Sequence, residues 1–255
     1  MKTLYKFIIL TLIISNTLIS ADIKGAFFSA VHSGNINLVE EYIKMGINVN
    51  IQDDMKRTAL MIAMYKNDMK IAKLLIDNNA NVNIQDNKFN SPFLYACEKG
   101  YINILKTMPI NSDTKTTLNI YGANALMLAC EKGHWETTKF LLENTDIEVN
   151  HIDNLSRTAL LEIAIFGKDT INYVEIVKLL LQHGADKSIK DSKGHDALYY
   201  AKERKLNNIE KLLVNEDTNN VNENTNNVNE NTNNSEENTN NENTNNIEYK
   251  SKDKI

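Results

Sequence analysis

The feature that most restricts this chain is that it repeats itself. Ala96-Cys-Glu-Lys-Gly100 recurs as Ala129-Cys-Glu-Lys-Gly133, and Asn48-Val-Asn-Ile-Gln-Asp53 recurs as Asn81-Val-Asn-Ile-Gln-Asp86, both after 33 residues. Thr58-Ala-Leu60 returns as Thr158-Ala-Leu160. Asp53, Asp86, Asn119, Asp153 and Asp191 open successive units, the last two after 34 and 38 residues, and a degenerate first unit begins near Ser20. A period of this length implies a supersecondary unit that cannot bury its apolar face alone. Copies must stack to build one continuous core.

The units share a register. Their opening Asp and Asn residues are turn formers. Thr58, Ser91, Asn124, Thr158 and Asp196 then offer a side-chain oxygen where a first helix begins. Two residues on stand Phe27, Leu60, Phe93, Leu126, Leu160 and Leu198. A small-residue position follows, filled by Ala30, Ala63, Ala96, Ala129 and Ala201, with Ile163 as the exception. Gly34, Gly100, Gly133 and Gly167 sit between the helices, where a left-handed backbone is expected. Leu74-Leu75, Phe140-Leu141, Leu179-Leu180 and Leu212-Leu213 mark a second helix, and Gly184-Ala185-Asp186 is a closing turn.

This pattern resembles the ankyrin repeat, with its D-x-x-G turn, T-P-L-H-x-A helix start and G-A-D close. The resemblance implies an all-α solenoid of about six helix-turn-helix units with projecting β-turns. They lie near 22–52, 53–85, 86–118, 119–152, 153–190 and 191–214. The family histidine is absent, replaced by Phe28, Met61, Leu94, Met127, Leu161 and Tyr199, and the family proline survives only as Pro92. Because that histidine ties neighbouring loops in many ankyrin repeats, apolar packing is expected to carry more of the contact between units here. Pro109 falls where the second helix of unit 3 should end, which makes this unit the weakest. Unit 5 carries extra residues around Lys168–Tyr173, expected to bulge outward between its helices. In unit 6, Lys205 replaces the glycine and Asn207, Asn208, Glu210 and Lys211 keep the last helix polar, as suits a cap.

The flanks differ from the array. Lys2 and Lys6 precede the apolar run Phe7–Ile14, then the more polar Ser15–Ser20 and Ala21. Residues 1–21 read as a secretory signal peptide cut after Ser20 or Ala21, alternatively as an uncleaved membrane anchor. Secretion or a periplasmic location follows, or anchoring at a membrane. In Asn215–Asn246, 17 of 32 residues are Asn and none is aromatic. Such a segment cannot offset its ordering entropy, so 215–255 is expected to be a disordered tail. Its Thr218, Thr225, Thr232 and Thr239 recur every seven residues, but without the apolar pair a coiled coil needs.

Chemistry is sparse. Between Asp22 and Val214 stand 23 basic and 24 acidic residues, with no basic stripe for nucleic acid. The five histidines, His32, His134, His151, His183 and His195, form no metal-ligand spacing. Cys97 and Cys130 share one small-residue slot in adjacent units. Helices stacked about 8–10 Å apart hold such thiols beyond disulfide reach. No enzyme, no cofactor, no metal and no small-molecule substrate is expected. The expected function is protein binding by an exported monomer; a structural or stress-protective envelope role is the alternative.

Ankyrin arrays bind through the turn tips and the exposed face of the first helix, which form the concave side. Carried over by register, that surface comprises Met55, Arg57, Lys88, Phe89, Tyr121, Leu155 and Arg157 at the tips, and Tyr65, Ile165 and Phe166 on the helices. Phe89, Tyr121, Leu155 and Phe166 are apolar where the fold itself asks for nothing apolar. Trp135, the one tryptophan, either contacts a partner or covers the preceding loop.

Overall fold

A computed structural model describes residues 23–111 and 116–214. The expected leader and the expected disordered tail both lie outside the described residues. Within them the chain folds as six helix pairs. Unit 1 holds α1 (23–33) and α2 (Ile36–Lys44), and unit 2 holds α3 (Ala59–Tyr65) and α4 (Met69–Asp77). Unit 3 holds α5 (Pro92–Lys99) and α6 (Ile102–Leu105), and unit 4 holds α7 (Ala125–Glu131) and α8 (Trp135–Asn144). Unit 5 holds α9 (Ala159–Phe166) and α10 (Ile171–Gln182), and unit 6 holds α11 (Ala197–Glu203) and α12 (Asn207–Val214).

The helices stack in two rows. First helices pack in order, α3 on α5, α5 on α7, α7 on α9 and α9 on α11. Second helices form the other row, with α2 on α4, α4 on α6, α8 on α10 and α10 on α12. This explains the sequence of each element. A first helix is enclosed by two neighbours and by its own second helix, so α3, α7 and α9 are apolar nearly all round and almost every residue is buried. A second helix is covered on one side only and is amphipathic. Leu75, Leu141, Leu180 and Leu213 point inward, while Leu74, Phe140, Leu179 and Leu212 are partly covered.

The helix starts form as the capping rule requires. Met61 N donates to Thr58 Oγ1 at 3.2 Å, Leu94 N to Ser91 Oγ at 3.2 Å and Met127 N to Asn124 Oδ1 at 3.0 Å. Leu161 N donates to Thr158 Oγ1 at 3.3 Å and Tyr199 N to Asp196 Oδ1 at 2.8 Å. Each opening carboxylate or amide gathers two backbone amides of its turn. Asp153 Oδ1, for example, accepts from Leu155 N and Arg157 N, both at 2.8 Å. Asp53, Asp86, Asn119 and Asp191 repeat that arrangement.

Three expectations need correcting. Polar ties join the units as well as apolar packing. Gln52 Nε2 donates to Gln85 O at 3.1 Å, and Gln85 Nε2 to Leu118 O at 2.7 Å, in each case 33 residues on. Neighbouring tips are also linked by backbone, Asn87 N to Met55 O and Asn154 N to Tyr121 O at 3.0 Å each.

The insertion of unit 5 does not simply bulge. Most of it lengthens α10 to 12 residues, against nine in α4. The remainder is tied down: Asp169 accepts from Asn208 N and Ile209 N and so caps α12 of the next unit. Tyr173 lies over Gly133 and donates through its hydroxyl to Glu131 O at 2.9 Å.

Gly167 is not left-handed but extended, at φ −66° and ψ −178°, because the inserted residues reroute the chain after α9. What demands glycine there is space: an added Cβ would stand 2.5 Å from Ile163 O. The second helix of unit 3 stops earlier than the position of Pro109 implied. Its α6 has four residues and ends at Leu105, ahead of Pro109.

Candidate functional site

The ten residues placed on the docking surface by register divide into two groups. Arg57, Tyr65, Arg157 and Ile165 are engaged by the fold. Arg57 pairs with Asp53 of its own turn, Nη2 to Oδ2 at 2.7 Å. Tyr65 donates to Asp86 Oδ2 of the next turn at 2.7 Å; burial and that carboxylate both push its phenol upward. Ile165 is half-buried against the core. Met55, Lys88, Phe89, Tyr121, Leu155 and Phe166 are exposed. Trp135 is partly buried against the core, with Lys139 Nζ 5.3 Å from its ring centre. His134, directly before it, reaches over Gly100 to bond Glu98 O at 2.9 Å and is structural.

Phe89 stands at the fourth residue of its turn, the position Lys56, Gly122, Ser156 and Gly194 hold in other units. All five are left-handed, Phe89 at φ +59°. Glycine is at ease there, while a large side chain is not. Its ring is 51% exposed, so little packing compensates. Phe89→Gly is therefore expected to raise stability by about 0.5–1 kcal/mol, measured by thermal or urea melts. A lower melting point would make the ring part of the fold and remove it from the docking surface.

Tyr121, Leu155, Arg157 and Phe166 meet around one cleft of about 220 Å³ between units 4 and 5. Tyr121 is 63% exposed and Phe166 50%. The cleft also takes in three carboxylates, Glu131, Asp153 and Glu162. Arg157 binds two of them: Nη2 lies 3.0 Å from Asp153 Oδ2, and Nε lies 3.1 Å from Glu162 Oε1. The guanidinium also sits 5.4 Å from the Phe166 ring centre, in cation–π range. Glu131 pairs with Lys132 at 2.6 Å.

Register alone did not single out Glu162. In the other units its place is taken by Ser29, Ile62, Tyr95, Leu128 and Tyr200. The available signal was a lone acid inside the apolar run Ala159-Leu-Leu-Glu-Ile-Ala. Glu162 is only 5% exposed. Burial raises its carboxyl to about 7, against the pull of Arg157 and with the push of Glu131 and Asp153.

The sign of the linkage follows. Between an ordinary 4.5 and about 7 the folded chain holds a proton that the unfolded chain has lost. Stability should thus fall as pH rises through that window, by roughly 2–3 kcal/mol. Asp53 and Asp191, whose carboxyls are held low, act below pH 4 and leave the window clear. Glu162→Gln is expected to match the parent at pH 4.5 and exceed it at pH 8 in urea melts. Parallel pH profiles for the two proteins would count against a buried charge at Glu162.

The thiols lie elsewhere. Cys97 and Cys130 are both free and fully buried. Burial pushes the Cys130 thiol up to about 12 and moves Cys97 the same way, so neither presents a thiolate.

A family profile described as ankyrin repeats (3 copies) matches residues 27–113 and 108–191. The chain belongs to the ankyrin-repeat family. Over 74 residues this ankyrin array is 38% identical to the ankyrin repeat protein YahD of Escherichia coli (strain K12). That match covers 29% of this chain and 37% of YahD, so only about a third of that relative is spanned. The crystal structure of an ankyrin repeat domain from Acinetobacter baumannii AYE is similar with a TM-score of 0.68 and 37% identity, over 73% of this chain and 95% of that one. The ankyrin repeat protein EF0377 is similar at 0.69 and 36%, over 74% and 96%. Ankyrin repeats are generally protein–protein interaction modules and typically not enzymes.

Proposed function

We propose that this ankyrin array is a protein-binding module that works outside the cytoplasm and docks its partner on the tips and exposed first-helix faces. The observation that carries the surface is the convergence of Tyr121, Leu155 and Phe166 on one cleft, each exposed and none needed by the core. Large apolar groups gathered at one place on a surface are characteristic of interfaces, where aromatic anchors dominate the binding energy. The strained, exposed Phe89 supports the same face, since the fold retains it at a cost. Export rests on the basic and apolar leader of residues 1–21.

The surface is tested by saturable capture of the partner from the producing organism's extracytoplasmic fraction. The Tyr121→Ala, Phe166→Ala double variant should lose that capture while keeping its helicity and melting point. Undiminished capture would move the interface elsewhere on the array. Export is tested separately by sequencing the mature N-terminus. A start near Ala21 or Asp22 in an extracytoplasmic fraction supports it, and an intact Met1 in the cytoplasm overturns it.

A further inference from the structure

The cleft between units 4 and 5 has a charge imbalance that specifies what it can accept. Three carboxylates, Glu131, Asp153 and Glu162, face two cations, Lys132 and Arg157. Lys132 is taken by Glu131. Arg157 is shared between Asp153 and Glu162, and its ring-facing side lies on Phe166. With all three carboxylates ionised one negative charge is in excess, in a cleft with apolar and aromatic walls, and a proton on Glu162 is what offsets it near neutral pH. A buried carboxylate without full compensation is costly, and a cation brought to it relieves that cost where water cannot. The walls suit the same visitor. An aliphatic stem can lie along Leu155, and an ammonium or guanidinium can stack on Tyr121 or Phe166.

We propose that the cleft recognises a lysine or arginine side chain of the partner protein, presented between apolar residues and neutralised by Glu162. This deepens the docking-surface reading and rests on it. The partner's cation completes a two-to-two pairing, with Asp153 retaining Arg157 while Glu162 turns to the incoming charge. An acidic partner side chain would meet the surplus carboxylate and be repelled. Because Glu162 holds a proton near neutral pH, binding should expel it, so affinity should rise from pH 6 to pH 8. The charged and titratable groups around Glu162 are Asp153 and Arg157 from its own unit, Cys130 and Glu131 from α7, and Lys132 directly after it. Tyr200, from α11, ionises far above this range, raised to about 12 chiefly by its bond to Asp191.

The test is selection of a phage-displayed random dodecapeptide library on the full chain, followed by titration of the enriched peptides at pH 6 and pH 8. Peptides that depend on Tyr121 and Phe166 are expected to share a Lys or Arg beside apolar residues. Replacing that residue by Met in the peptide should weaken binding at least tenfold to the parent protein, and much less to Glu162→Gln. The peptide-side change leaves the protein intact, so the result does not depend on how the variant folds. Enriched peptides that need Tyr121 and Phe166 but carry no shared basic residue, or that bind Glu162→Gln equally well, would overturn cation recognition and leave the docking surface standing. A selection in which no enriched peptide depends on Tyr121 and Phe166 would overturn both.

Discussion

Leu126→Ala is expected to destabilise the array by about 3 kcal/mol, within the range for emptying a fully buried leucine site. Leu126 is wholly enclosed, in an α7 that packs against both α5 and α9. In a solenoid, stability is close to a sum of unit terms and nearest-neighbour interfaces, so a central cavity weakens two interfaces together. The array should then unfold in two steps instead of one, with the boundary near units 3 and 4, where α6 is already short. The repeat supplies its own control. Leu198 holds the same register in the terminal unit but is only half-buried, against one neighbour. Leu198→Ala should cost about 1 kcal/mol and leave unfolding cooperative. Urea melts followed by helicity, with hydrogen exchange to locate the boundary, decide the matter. Equal losses at the two sites would refute the nearest-neighbour account.

Gly133→Ala should cost about 2–3 kcal/mol, the sum of two separate penalties. The first is backbone: Gly133 lies at φ +73°, where a Cβ costs about 1 kcal/mol. The second is space, since that Cβ would stand 2.8 Å from Tyr173 Cζ. Tyr173 has little freedom to retreat. Its hydroxyl is held by Glu131 O, and its ring also closes over Gly167, whose added Cβ would lie 2.9 Å from Tyr173 Cδ1. Overpacking of this kind adds about 1–2 kcal/mol. The two parts can be separated. In a Tyr173→Ala background, Gly133→Ala should cost only the backbone part, and Gly34→Ala, whose nearest neighbour is Asp68 Oδ2 at 3.5 Å, should cost the same. The chain itself indicates that the backbone part is bearable, for Asn67 and Lys205 fill the corresponding slot at φ 57° and 56°. Full loss persisting without the Tyr173 ring would show the steric account to be mistaken.

These cases also show how far the sequence could be read. Residues that serve a local rule were legible. Thr158 caps a helix whichever unit it belongs to, and Asp153 gathers the same two amides as Asp53, because both act within a few residues of themselves. Period and register then placed Leu126 and Ala129 in the core without further information. What escaped were contacts between units that only one pair makes. Tyr173 lies outside the family pattern, inside an insertion, and only the fold puts its ring on Gly133 some 40 residues earlier. The sequence marks Asp169 only as part of an insertion, although it caps a helix of the next unit. Among the residues of the proposed docking surface, register brought out Tyr121, Leu155 and Phe166, which are exposed. It could not distinguish Arg157, shared by two carboxylates, from Arg57, bound to one. That difference comes from Glu162, whose siblings in units 2, 3, 4 and 6 are apolar or aromatic.

The glutamine ladder has an implication for how the array can lengthen. Gln85 receives a bond from Gln52 and passes one to Leu118, so each rung is at once a donor forward and an acceptor backward. A segment copied in tandem with its neighbours brings both halves of that connection, and a chain lengthened by a whole 33-residue period leaves no rung unmatched. After Gln85 the rung positions hold Leu118, Ile152 and Lys190, none with an amide side chain. Only the part of the array around Gln52 and Gln85 can therefore be lengthened by a whole period without leaving a rung unmatched.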